Sequence, residues 1–135
     1  MSKLYRSREG QITAVDTKSQ LTTLGSETAP GPLLVPAGAR RIAAIIAAYA
    51  TDQSVAADGS IFIRLEGPGL PEGPETLIIG SQGVAVATGG HGSRTARRIE
   101  VDIPVTPANE ILIFAENDGE DVGTETVGVT LEFEA

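Results

Sequence analysis

The sequence has no cysteine and no tryptophan, and it holds one histidine, His91. Without thiols, disulfides, thiolate nucleophiles and cysteine-ligated metals are all excluded, so stability must come from packing or from assembly. Aromatic residues make up only 4% of the chain, three Phe and two Tyr. Ile, Val, Leu and Ala must therefore fill the interior, and little is left for the aromatic platforms on which sugars stack. No apolar run approaches the roughly 18 residues of a membrane-spanning helix. The opening MSKLYRSREG leads into polar sequence rather than the apolar centre of a signal peptide, so the chain is expected to be soluble, made in the cytoplasm and free of membrane contact. Basic residues are also scarce, ten Lys and Arg against 18 Asp and Glu, a net charge of −8. That balance argues against wrapping nucleic acid, which needs a basic face. All ten basic residues lie in residues 1–98 with eight acids, whereas residues 99–135 carry ten acids and no base. The split favours complementary contacts between subunits, or between two halves of one fold.

What is present is a chain of 135 residues with sixteen Gly and eight Pro, enough for one core that buries roughly two thirds of the unfolded surface. Alternation of period two marks half-buried strands at GSIFIRLEG (59–67), RRIEVDIPV (97–105) and VGVTLEFEA (127–135). In the second, Ile99, Val101, Ile103 and Val105 share one face; in the third, Val127, Val129, Leu131 and Phe133 do. Their alternates, Arg98, Glu100 and Asp102, then Thr130, Glu132 and Glu134, are expected to face solvent, so that replacing Glu132 should cost little. ETLIIG (75–80), GVAVATG (83–89) and NEILIFAEN (109–117) are more continuously apolar, as in strands covered on both sides or lying inside a subunit contact. Gly, Pro, Asn and Asp between these runs supply turns. The spacing predicts an all-β fold, an antiparallel sandwich of jelly-roll type.

RRIAAIIAAYATD (40–52) fits two periods. Ile42, Ile45, Ile46 and Tyr49 fall at helical spacing, yet Ile42, Ala44, Ile46 and Ala48 alternate and strands surround the stretch, which favours a strand. Residues 1–32 are polar and rich in Thr and Ser, with brief apolar alternation at Ile12, Ala14 and Leu21. They read as an N-terminal arm or edge strands ahead of a sandwich domain over 33–135. As an arm, this segment would bury Ile12 and Leu21 against a neighbour's sheet edge, and Arg94, Arg97 and Arg98 would meet acidic residues across the same contact.

Candidate catalytic and ligand sites are weak. TGGHGSRTARR (88–98) places Ser93 two residues from His91 between glycines, but it has neither the strand-turn-helix elbow of a serine nucleophile nor a group to lock the base. The glycines before it lack the phosphate-loop pattern. The loop is therefore read as a strand connection, with no catalytic residue and no cofactor. ENDGEDVGTE (116–125) offers Glu116, Asp118, Glu120 and Asp121 as weak calcium ligands. Aligned as an EF-hand with Gly119 at the sixth position, it puts Phe114 first, so an acidic hairpin turn is the better reading and no metal is expected. Paired carboxylates of glycosidase type remain open on sequence alone.

Taken together, LLVPAGARRIAAI, GSIFIRLEGPGL, IEVDIPVTPANEILIFAEN and VGVTLEFEA resemble the strands of small β-sandwich virion proteins, the single jelly-roll capsid proteins and trimeric decoration or cement proteins of viruses. The resemblance spans residues 33–135 and is one of texture, without a diagnostic motif. It implies a structural rather than catalytic protein, a homo-oligomer with a trimer as the expected state, bound to a viral shell protein in the virion. Residues 1–10 offer only Lys3, Arg6 and Arg8 against Glu9, unlike a genome-binding arm, so a decoration role is expected ahead of a capsid role. The alternative is a carbohydrate- or receptor-binding β-sandwich.

Overall fold

The computed structural model describes residues 3–12, 17–24, 30–51, 60–81, 95–117 and 125–135. Within them lie nine strands and no helix: β1 (Lys3–Ile12), β2 (Ser19–Gln20), β3 (Leu33–Leu34), β4 (Arg41–Thr51), β5 (Ser60–Glu66), β6 (Glu75–Ser81), β7 (Thr95–Pro104), β8 (Glu110–Asn117) and β9 (Glu125–Glu134). GVAVATG falls outside the described residues, as does the loop with His91 and Ser93.

Every strand pair is antiparallel, and the pairs are nested. β1 lies on β9, β2 and β3 on β8, β4 on β7, and β5 on β6. Cross-pairs of β4 with β9 and of β5 with β8 gather the strands into two sheets, ordered β1-β9-β4-β7 and β2-β8-β5-β6. First strand on last, inward to a central hairpin, is the jelly roll. Of the first 32 residues, β1 forms the outer strand of one sheet and β2 lies at the edge of the other.

The alternation read from the sequence sets what fills the space between the sheets. Val127, Val129, Leu131 and Phe133 of β9 meet Ile61, Ile63 and Leu65 of β5 and Ile111, Ile113 and Ala115 of β8 in one buried cluster. Ile99 and Val101 are only partly buried because β7 is an edge strand. Gly69 lets the turn after β5 close over β8: its N–H donates to the Glu110 carbonyl at 2.8 Å, and a Cβ there would sit 2.7 Å from Ile111 Cγ1.

Residues 41–51 form a strand, and their helix-like spacing has a structural cause. A register shift between Ile42 and Ala44 places Ile42 opposite Phe133 and Ala44 opposite Glu132, which inserts one extra residue, Ala43, against β9. Past this bulge the faces exchange parity. Ile42 and Ile45, three apart, are both fully buried, while Ile46 points outward.

Candidate assembly surface

β4 is apolar on both of its faces. Its inward residues Ile42, Ile45 and Ala47 belong to the core, and its outward residues include Ile46 and Ala48, both half-buried. Central strands with this composition are those covered from both sides. The outer face of the β1-β9-β4-β7 sheet covers β4 in two different ways along its length.

At one end a charged belt crosses all four strands. Glu132 of β9 faces outward, as the alternation requires, but its side chain is only 2% exposed. Tyr5 of β1 donates its hydroxyl to Glu132 Oε1 at 3.0 Å. From β7, on the far side of β4, Arg98 donates from Nη1 to Oε1 at 3.2 Å and from Nη2 to Oε2 at 2.9 Å. Its Nε donates to Glu100 at 2.8 Å, and Lys3 Nζ stands 3.9 Å from Glu132. The reach across β4 is possible because the residue aligned with both Glu132 and Glu100 is Ala44. Beside this belt, Arg41 ties Glu134 at 3.2 Å and Asp102 at 3.4 Å.

Glu132 is thus not the exposed carboxylate expected from alternation. Three neighbouring strands supply a small residue to cross and two polar caps to close over it. The Arg98 hydrogen bonds hold the Glu132 carboxyl below its ordinary value of 4.5, against the desolvation that pushes it up, and the Tyr5 bond adds to the lowering. Tyr5 is raised above 10.0, chiefly because its hydroxyl donates to Glu132, and Arg98 is raised by its bonds to Glu132 and Glu100. A carboxylate held ionised with both oxygens engaged acts as a clasp between strands rather than as a base.

Toward the other end the belt gives way to an open depression of about 290 Å³, lined by Ser7, Leu24, Ile46, Ala48, Gly128 and Thr130. Ser7 and Thr130 satisfy each other at 2.7 Å, and nothing lies within 4 Å of where a Cβ on Gly128 would project. Leu24 at its rim is 41% exposed.

The other predicted site residues separate. Ile12 and Leu21 are 0% and 1% exposed, so the burial expected from a neighbour is supplied within this chain's own core. Arg98 meets acidic residues of its own subunit, because β7 and β9 flank β4 in one sheet. Arg97 is exposed on the edge strand. Glu116 is half-buried near the end of β8, while Arg94, Asp118, Glu120 and Asp121 lie outside the described residues. Among the described residues no three His, Asp or Glu side chains gather as a metal site would require. Sequence reading missed Tyr5 and Glu132 as partners; the only signal was an outward acid set opposite an alanine-rich strand. No known protein family matches the chain, and no curated protein does.

Proposed function

We propose that this chain is a self-assembling structural subunit, a decoration or single jelly-roll capsid protein of a virion, whose partners are further copies of itself and a viral shell protein. The observation that carries the reading is β4: apolar outward as well as inward, clasped over at Ala44 and left open at Ile46, Ala48 and Gly128. A second copy is the occupant best suited to that face. Ile46 and Leu24 stand beside the hollow over Gly128, so knob and hole adjoin on one surface, as contacts between like copies require. The jelly-roll pairing order narrows the class, since such rolls serve in viral shells and in lectins, although fold alone does not fix function. The net charge of −8 suits the outside of a particle better than contact with its genome.

A second reading, a carbohydrate- or receptor-binding module, is favoured by the outer face of the other sheet. There Phe62 and Phe114, two of the three phenylalanines, sit half-buried as diagonal neighbours on β5 and β8, and Lys18 lies 4.4 Å over the Phe114 ring. Ile46→Lys separates the readings. For an assembling subunit it yields a folded monomer by light scattering and circular dichroism; for a lectin it leaves the particle mass unchanged, and Phe114→Ala removes binding on a glycan array.

A further inference from the structure

Residues 3–12 and 17–24 form a distinct attachment to the rest of the roll. β1 fills the edge of β9, and β2 shares the edge of β8 with β3, pairing with Phe114 and Ala115 while β3 pairs with Glu110 and Ile111, so this one segment borders both sheets. It holds together within itself: Glu9 N–H donates to the Thr23 carbonyl at 2.8 Å, Thr23 N–H donates back at 3.1 Å, and Gly10 lies against Leu21. Among its described residues only Ile12 and Leu21 join the core cluster, and the other inward positions of β1 are Leu4, which is 37% exposed, Arg6, Arg8 and Gly10. The remaining attachments are main-chain ladders and side-chain contacts, among them Tyr5 to Glu132, Ser7 to Thr130, Lys3 near Glu132, Arg8 to the Gly31 carbonyl, and Lys18 to Glu66 and over the Phe114 ring.

The charges of the two sides are complementary. Within residues 3–24 the basic residues are Lys3, Arg6, Arg8 and Lys18, against Glu9 and Asp16; β8 and β9, which receive the segment, carry Glu110, Glu116, Glu125, Glu132 and Glu134 and no base. Two copies that repel as whole molecules therefore attract where this segment meets these edges.

We propose that the segment is exchanged between copies: Lys3–Leu24 of one subunit occupies the β9 and β8 edges of the next, remaking the same ladder, the same Tyr5–Glu132 clasp and the same seats for Ile12 and Leu21. The partner is a second copy of this chain, and the proposal rests on the self-assembly reading above. Exchange repeats contacts that the closed monomer already makes, so the added contact over Ile46 and Gly128 is what favours the linked copies, and an edge strand is the element most easily given to a neighbour.

Ser7 and Thr130 face each other directly, with their hydroxyl oxygens 2.7 Å apart, so Ser7→Cys with Thr130→Cys places two thiols in a protein that has none. The assembled double variant is oxidised and run on a denaturing, non-reducing gel, with particle mass measured in parallel by light scattering. Exchange predicts covalent dimers and larger species that collapse to single chains on reduction. It also predicts that the two single variants, unfolded together and refolded, form a disulfide-linked dimer that neither forms alone. An oligomer whose double variant runs only as closed single chains overturns the exchange and leaves the assembly reading standing. A monomer by light scattering overturns both.

Discussion

Ile45 and Ile46 are adjacent and chemically identical, and the bulge at Ala43 assigns them opposite fates. Ile45 is fully buried between the sheets, whereas Ile46 lines the open depression on the outer face. Ile45→Ala removes three carbons from the core, about 2.5 kcal/mol of transfer free energy at about 0.8 kcal/mol per methylene. The cavity left behind raises this to about 3–4 kcal/mol. For a domain of this size that is a fall in Tm of about 10–15 °C. Ile46→Ala, losing only half-covered surface, should cost no more than about 1 kcal/mol in the isolated subunit. Urea unfolding followed by circular dichroism, at concentrations low enough to keep single subunits, measures both with the slope as a check on two-state behaviour. Equal losses at the two positions, or a larger loss at Ile46, would refute the bulge and the facing it sets.

Glu132→Gln should lower Tm measurably, since Arg98 keeps its charge but loses its bidentate carboxylate, whereas Glu100→Gln, at a side chain 74% exposed, should lie within about 0.5 kcal/mol of the parent; thermal melts of the two variants check the order. Because the folded carboxyl of Glu132 lies below 4.5, its contribution is complete above that pH and is lost as pH falls through the depressed value, so Glu132→Gln should flatten the acid limb of a stability-pH profile. Tyr5, raised above 10.0, contributes fully below that value and loses its contribution as pH rises through the raised one, so Tyr5→Phe should remove part of the alkaline limb. Ala108, exposed in the turn before β8 with φ of 65°, holds a conformation that costs a residue with a Cβ about 1–2 kcal/mol; Ala108→Gly should stabilise by up to about 1 kcal/mol after its own entropy cost, as a urea midpoint would register.

The strands β5, β7 and β9 were legible because their inward apolar residues recur at period two, with Arg64, Glu100, Asp102, Thr130 and Glu132 among the residues between them although Phe62 and Gly128 interrupt the polar alternates, a pattern that an extended chain covered on one side explains. β4 was ambiguous for a reason the structure makes plain: one extra residue at Ala43 turns the step from Ile42 to Ile45 into a helical interval, and nothing local marks the bulge. Glu132 was misread because its burial depends on Tyr5, Ala44 and Arg98, residues far apart in the chain that meet only through the nested strand pairing. Ile12 and Leu21 were recognised as residues needing cover, but a sequence does not say whether the cover comes from the same chain or from another.

Whether this jelly roll is a subunit built to assemble is decided by the mass of the 135-residue chain in solution, taken by light scattering across a dilution series at low and moderate salt. A subunit built to assemble gives a defined oligomer, three times the 13.9 kDa of one chain, that persists on dilution to micromolar concentration. A particle of 13.9 kDa at every concentration and salt would contradict it.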